Sequence, residues 1–216
     1  MKTKLYLASV APLADEALFA RLLPELWEAR REKLLRLRAP GQRRLSLGAG
    51  LLLRRAMAEE GLRAEDYTLS PEGKPCFPSL PDFRFSLSHS GETVLCAVSS
   101  SELGCDVEHL RDFDLRLARR FFHPVEWEAL SALPEEKRPE AFFRLWTLKE
   151  SYMKAVGLGF ALPMGDFAVA AGEEPRLLLP ETGEGWRFLA FREGADFCAL
   201  CAKDAPETLI VRTALI

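Results

Sequence analysis

The sequence predicts an α+β fold, built from two similar lobes that each combine helices with an antiparallel meander of strands. Three observations lead to this prediction: helical periodicity in both halves, short strand-like segments after each helical region, and the lack of a low-complexity segment or long linker. The chain has 216 residues and is 48% hydrophobic, enough for packed cores. We expect an N-terminal lobe over residues 1–102 and a C-terminal lobe over residues 103–216.

The N-terminal half begins with a strand-like segment, Lys4–Val10, followed by a helical pattern that Pro24 interrupts. A second helix is predicted from about Arg43 to Glu60, because Gly61 supplies a typical C-terminal signal. The next segments are Tyr67–Ser70, a turn-rich connector Pro71–Pro75, the alternating Phe83–Ser88 that stops at His89, Thr93–Ser99 and Leu103–Glu108. The last two of these are strand-like and lie close enough along the chain to predict a hairpin.

The C-terminal half starts with helices and returns to strands. Asp112 or Asp114 is predicted as the N-cap of a helix that reaches about Phe122. A short helix starts at Pro124, and a long one runs from about Pro134 to a stop at Gly157. The predicted strands are Phe167–Val169, Trp186–Phe191, Phe197–Ala202 and Leu209–Val211.

The overall charge argues against a nucleic-acid partner, since the net charge is -3 and the pI is near 5.8. Residues 21–63 nevertheless contain eleven Lys and Arg against five Glu, so this part could hold a polyanionic ligand. A solvated helix face is the alternative. The sequence has neither an apolar run of membrane-spanning length nor a signal-peptide pattern, so we expect a cytoplasmic protein without a membrane partner.

The cysteines favour buried, reduced thiols over a disulfide framework, because there are five of them in apolar surroundings. Cys198 and Cys201 have the spacing of a metal or redox pair. They lie in a strand-like run, however, which predicts that they point to opposite faces.

The long helix carries an unusual polar pair. Glu150 and Lys154 are four residues apart and share a face with Trp146, so a carboxylate and an ammonium project side by side from a largely apolar helix. An ordinary surface ion pair is the alternative interpretation.

A second acidic pair lies on the predicted strand Leu103–Glu108. Because strand side chains alternate, Asp106 and Glu108 face one way while Cys105 and Val107 face the buried side. Two neighbouring carboxylates repel each other unless a cation lies between them, and a hard divalent ion such as Mg²⁺ fits oxygen ligands. Glu150 would complete a set of three carboxylates if the long helix crosses this strand. An edge strand with two solvated acids is the alternative.

Several motifs, in this order along the chain, resemble the signature of the 4'-phosphopantetheinyl transferases, specifically the long surfactin-synthetase-activating type. An Asp-x-Glu alone would be weak, but its combination with the later Trp-x-x-Lys-Glu-x-x-x-Lys is highly specific. The matching segments are Arg43-Arg44, Gly73-Lys74-Pro75, Ser88-His89-Ser90-Gly91, Gly104-Cys105-Asp106-Val107-Glu108, Phe121-Phe122, Trp146 to Lys154 and Gly157-Leu158-Gly159.

The resemblance implies a holo-[acyl-carrier-protein] synthase type of enzyme, which transfers phosphopantetheine from coenzyme A to a serine of an apo acyl, peptidyl or aryl carrier protein and releases 3',5'-ADP. It also implies two α+β halves related by a pseudo-twofold axis, with coenzyme A at their junction, and we expect a monomer. Asp106, Glu108 and Glu150 would ligate Mg²⁺. Contacts to coenzyme A would come from Arg30, Lys33, Arg44, Lys74, Ser88, His89 and Lys154.

The chemistry of these residues fits that reaction, which needs a base, a cation and donors for the leaving charge. Glu150 is the predicted base, Lys154 would meet charge on the bridging oxygen, and Asp106 completes the catalytic set. His89 could instead be a buried core histidine. Two other functions stay open: a non-catalytic module that binds coenzyme A or carrier proteins, and an Mg²⁺-dependent hydrolase of pyrophosphate bonds.

Overall fold

The computed structural model describes residues 2–71, 73–180, 185–204 and 207–215, and only the backbone of Phe160. Glu72 of the predicted connector lies outside the described residues. The fold is α+β, as predicted. The α-helices are α1 (Glu16–Leu22), α2 (Glu28–Leu35), α3 (Pro40–Glu59), α4 (Leu115–Phe121), α5 (Pro124–Ser131) and α6 (Arg138–Val156), and the 3₁₀ turns are Ala11–Ala14, Leu23–Glu25, Glu135–Lys137, Gly159–Ala161 and Met164–Asp166.

The strands agree with most of the predicted segments to within a few residues. They are β1 (Thr3–Ser9), β2 (Thr68–Leu69), β3 (Pro75–Cys76), β4 (Arg84–Ser90), β5 (Thr93–Ser99), β6 (Leu103–His109), β7 (Ala168–Ala170), β8 (Arg176–Leu179), β9 (Trp186–Glu193), β10 (Asp196–Lys203) and β11 (Thr208–Arg212).

Two larger sheets form the framework, in the strand orders β11-β1-β5-β4 and β6-β10-β9. The predicted hairpin between β5 and β6 is wrong, because β5 pairs with β1 and β4 while β6 pairs with β10 in the other sheet. Strand β1 lies between β11 and β5, and four consecutive residues, Leu5 to Ala8, are buried, so both faces of this central strand are covered. The strand pairs within each predicted half are antiparallel, but β11 of the second half joins the first sheet, where it runs parallel to β1.

Each of these sheets is covered by one long helix. Helix α3 packs on the first sheet, and α6 packs on β6 and β10 of the second. A further apolar cluster, formed by β1 and β5 on one side and β6 and β10 on the other, lies between the sheets and includes Leu5, Leu95, Cys105 and Leu200. The two sheets therefore share this apolar layer.

Gly104 allows α6 to lie directly on β6. A Cβ atom at this position would stand 2.2 Å from the backbone oxygen of Ser151 and 2.3 Å from the backbone nitrogen of Ala155. The close contact of helix and strand brings the side chains that follow Gly104 on the same face, Asp106 and Glu108, next to α6. Helix α6 ends where predicted, at Gly157, whose φ of 82° is left-handed.

Other local predictions can be compared directly. Strand β4 continues to Ser90, so His89 and Ser90 belong to the strand rather than to the turn after it. Asp114, not Asp112, caps α4 by accepting a hydrogen bond from the amide of Arg116. Cys198 and Cys201 point into different cores on the two faces of β10, as predicted. Over the described parts of the chain, no helix combines the length and apolar character needed to span a bilayer.

Candidate active site

A cleft of about 710 Å³ lies between α6 and the N-terminal half of the chain. Nearly all of the predicted site residues line it, drawn from α2, β4, β6 and α6 and from the loop before β3. These residues are Arg30, Lys33, Lys74, Ser88, His89, Asp106, Glu108, Glu150 and Lys154, and the cleft also includes Gln42, Ser46, Tyr67, Trp146 and Met153.

Strand β6 and helix α6 provide the acidic centre of the cleft. Cys105 and Val107 are buried between the sheets, so Asp106 and Glu108 point to the α6 side, as the strand alternation predicts. Glu150 faces them from α6, one helical turn after Trp146 and one before Lys154. The predicted set of three carboxylates thus meets in the same cleft.

Lys154 bonds to the strand rather than to its neighbour on the helix. Its Nζ donates to Oδ1 of Asp106 at 2.6 Å and to Oγ of Ser88 at 3.1 Å. Among the described residues no ion pair joins Lys154 to Glu150, so the alternative of a surface Glu-Lys pair is wrong. The other oxygen of Asp106, Oδ2, is buried without a hydrogen-bond partner.

The pKa values of Glu108, Glu150 and Lys154 are shifted by burial and by the charges around them. Burial raises the pKa of Glu108, and the nearby charge of Asp106 raises it further. Burial and the charge of Asp106 raise the pKa of Glu150 in the same way. Burial alone would lower the pKa of Lys154, but the surrounding negative groups, led by Asp106, outweigh burial and raise it. A cation entering this cleft would relieve the repulsion.

The residues present fit a hard cation such as Mg²⁺. Oδ2 of Asp106 is a buried oxygen without a partner, and the other candidate ligands are carboxylates, the donors that Mg²⁺ prefers. In the present side-chain positions, no three Asp, Glu, His or Cys side chains of the described ranges are arranged to hold a metal ion. Lys154 holds Oδ1 of Asp106 instead, and Arg111 donates to Oε2 of Glu108 at 2.9 Å.

The basic side chains at the other side of the cleft differ in the hydrogen bonds that they make within the protein. Arg30 donates to the backbone oxygen of Ser46 at 3.0 Å and to the hydroxyl of Tyr67 at 3.3 Å, while its buried Nε has no partner. Lys33 is exposed in the cleft. Lys74 is engaged by three acceptors, Glu102, the backbone oxygen of Leu103 and that of Ala155, so it ties the loop before β3 to the end of α6.

Arg44 is the one predicted contact residue outside the cleft lining. It lies on α3 one turn before Gly48, where a Cβ atom would meet Val10 and Leu215 rather than the cleft. Its contact with coenzyme A stays a prediction.

His89 is one of the residues lining the cleft, and its side chain is exposed. The alternative of a buried core histidine is therefore wrong. The walls of the cleft reduce the hydration of its ring and, with the charges of Lys154 and Arg30, lower its pKa. His89 consequently offers a neutral ring that can become charged beside an anionic ligand.

A buried ion pair behind the cleft was not assigned from the sequence. Lys149 and Glu126 have side chains that are 0% and 2% exposed, and Lys149 Nζ lies 2.8 and 2.6 Å from the two carboxylate oxygens. Glu126 also accepts from the amides of His123 and Val169, so the pair locks α6 to α5 and β7. The signal was present, because Lys149 belongs to the motif that contains Glu150.

Comparisons with known proteins agree with the motifs. A family profile described as "4'-phosphopantetheinyl transferase superfamily" matches residues 102–202. A 4'-phosphopantetheinyl transferase of Bacillus subtilis is 34% identical over 152 residues, covering 69% of this chain and 68% of that protein. A second one from the same species, ffp, is 34% identical over 175 residues, covering 79% and 78%.

Further similarities cover shorter stretches. The Sfp transferase of Bacillus subtilis strain 168 is 42% identical over 97 residues, which span 45% of this chain and 43% of that protein. The crystal structure of a Thermotoga maritima holo-[acyl-carrier-protein] synthase is similar over 50% of this chain and 65% of that one, with 18% identity and a TM-score of 0.42.

Proposed function

The chain belongs to the 4'-phosphopantetheinyl transferase superfamily, and from this premise we propose that it transfers the 4'-phosphopantetheine group of coenzyme A to a serine hydroxyl of an apo acyl, peptidyl or aryl carrier protein, with Mg²⁺ as the metal and 3',5'-ADP as the second product. The observation that carries this proposal is the meeting of Asp106, Glu108, Glu150 and Lys154 in one cleft, with Oδ2 of Asp106 left unpartnered.

The acidic residues would hold the metal. Asp106, Glu108 and Glu150 are the proposed ligands, and Oδ2 of Asp106 is free for this contact while Oδ1 stays with Lys154. When bound, Mg²⁺ would neutralise the negative charge of the pyrophosphate that is cleaved.

Glu150 and Lys154 would carry the proton and charge changes of the reaction. Glu150 would accept the proton of the carrier serine. The serine oxygen forms a bond to the phosphorus next to pantetheine, the bond from that phosphorus to the bridging oxygen breaks, and 3',5'-ADP leaves with the electron pair. Lys154 is held by Asp106 and Ser88 and stabilises the leaving charge.

The rest of the cleft would bind coenzyme A. Arg30, Lys33 and His89 line the cleft and would contact its phosphates, and Ser88 lies beside Lys154. Lys74 has three N–H donors and three present acceptors, so it would contact coenzyme A by exchanging one of these acceptors for a phosphate oxygen. We also propose that residues 1–102 and 103–216 are pseudo-twofold-related lobes, because one long helix covers each sheet. Strand β11 of the second lobe would then cross over to the first sheet.

The test is mass spectrometry of a panel of apo carrier proteins incubated with coenzyme A and Mg²⁺. The expected result is a gain of one phosphopantetheine, which disappears when the acceptor serine of the carrier is replaced by alanine. Release of 3',5'-ADP without any carrier would identify a pyrophosphate hydrolase instead. Binding of coenzyme A without transfer to any carrier would identify a binding module.

A further inference from the structure

Three alternate serines on β4 form an unusual connection between the two sheets. Strands β4 and β6 are edge strands of different sheets, and an edge strand presents unpaired amide groups. Serine hydroxyls accept these amide hydrogens in place of a neighbouring backbone. Ser86 Oγ accepts from the amide of Cys105 at 3.1 Å, Ser88 Oγ from that of Val107 at 3.3 Å, and Ser90 Oγ from that of His109 at 3.0 Å.

Two of these hydroxyls make a second bond that repeats along the strand. Ser88 Oγ donates to Oδ1 of Asp106 at 2.7 Å, and Ser90 Oγ donates to Oε2 of Glu108 at 3.3 Å. Each serine thus holds one amide of β6 and the carboxylate of the residue before it. We call Ser86, Ser88 and Ser90 the serine ladder. Ser86 accepts from the amide of Cys105, and the residue before Cys105 is Gly104, so Ser86 has no carboxylate to hold.

A hydroxyl bonded to one carboxylate oxygen fixes the rotamer of the acid and leaves its second oxygen for a cation. Asp106 shows this division, since Oδ1 is taken by Ser88 and Lys154 while the buried Oδ2 has no partner. Groups that orient metal ligands in this way commonly change metal affinity about 10- to 100-fold when they are removed.

We propose that Ser90 is a positioning residue for the metal site, which orients Glu108 as Ser88 orients Asp106, and that the serine ladder sets the register of both acids against α6. The proposal rests on the proposed function, because it takes Glu108 as a metal ligand. It adds a specific role for a side chain that is not among those lining the cleft.

The experiment compares Ser90→Ala with Ser90→Thr and with Ser86→Ala, a matched control that loses the same amide acceptor but no carboxylate contact. Two quantities are measured: the Mg²⁺ concentration for half-maximal transfer, and the rise in melting temperature that Mg²⁺ causes in the protein saturated with coenzyme A. Ser90→Ala should raise the Mg²⁺ requirement about 10-fold or more and shrink the melting shift, with KM for coenzyme A unchanged. Ser90→Thr should restore both, and Ser86→Ala should lower the melting temperature without changing the Mg²⁺ requirement.

Equal Mg²⁺ requirements for Ser90→Ala and wild type, or equal changes for Ser90→Ala and Ser86→Ala, would overturn the proposal. If Ser90→Ala does not fold, Ser90→Cys and Ser86→Cys replace the pair, and the same difference in Mg²⁺ requirement is expected. Failure of the proposed function would give a different result, because the wild-type protein would then show no transfer. The Mg²⁺-induced rise in melting temperature would still differ between Ser90→Ala and Ser86→Ala if Ser90 orients the metal ligand Glu108.

Discussion

Replacement of Lys149 by methionine should destabilise the protein strongly, although Lys149 lies outside the cleft. Its Nζ donates to both oxygens of Glu126 and to the backbone oxygen of Phe167, at 2.6 to 2.8 Å. Lys149→Met keeps the apolar stem but leaves the Glu126 carboxylate buried without its counter-ion. Loss of one partner of a buried pair costs about 3–5 kcal/mol.

The size of the change can be converted into a melting temperature. An unfolding entropy of about 2.1 cal/mol/K per residue gives about 0.45 kcal/mol/K for 216 residues, so the expected decrease is about 7–11 °C. Circular dichroism melting at neutral pH measures it. Transfer activity should fall as well, because Glu150 directly follows Lys149 in α6.

Two further variants separate the ion pair from a general effect of removing a lysine. Lys137→Met, at an exposed position just before α6, should change the melting temperature little. The double variant Lys149→Met with Glu126→Gln should recover part of the loss, because no lone charge stays buried and the amide oxygen can still accept from Val169. A melting temperature of Lys149→Met equal to that of Lys137→Met would refute the reasoning.

Three other predictions concern the cleft. Because the folded protein raises the pKa of Glu150 above its ordinary 4.5, stability of the metal-free protein is lost as pH rises through the folded value. Without metal, Glu150→Gln should therefore melt at a higher temperature than wild type at pH 7 and at the same temperature well below pH 4.5. Its transfer rate should fall about 10²- to 10⁴-fold. A metal-free variant that melts at a lower temperature than wild type at pH 7 would contradict this prediction. Arg30→Ala should weaken coenzyme A binding about 10- to 150-fold in calorimetry, the equivalent of ~1.5–3 kcal/mol for a charge-assisted contact. Arg44→Ala tests the phosphate contact predicted for Arg44: it should weaken binding of coenzyme A more than that of dephospho-coenzyme A, and equal losses for both ligands would remove that assignment. Since one chain supplies both sides of the cleft, activity in sedimentation should coincide with the monomer, and activity confined to a trimer would count against this expectation.

The sequence by itself determined the local directions of the key side chains. Strand alternation was sufficient to place Asp106 and Glu108 on one face and Cys105 and Val107 on the other, because the period of two is a property of the extended backbone. Helical spacing likewise placed Trp146, Glu150 and Lys154 along one side of α6. The end of α6 at Gly157 followed from the left-handed conformation that glycine adopts readily.

Only the tertiary structure decided which of these side chains meet. Local spacing paired Lys154 with Glu150, whereas packing pairs it with Asp106, which lies 48 residues away in the chain. The predicted hairpin is wrong for a related reason: β5 and β6 are near neighbours in sequence, but β1 and β4 occupy both edges of β5, and β6 pairs with β10. The roles of Ser90 and Lys149 also depend on partners contributed by distant segments, because a hydrogen bond or an ion pair forms only after the sheets and helices have packed.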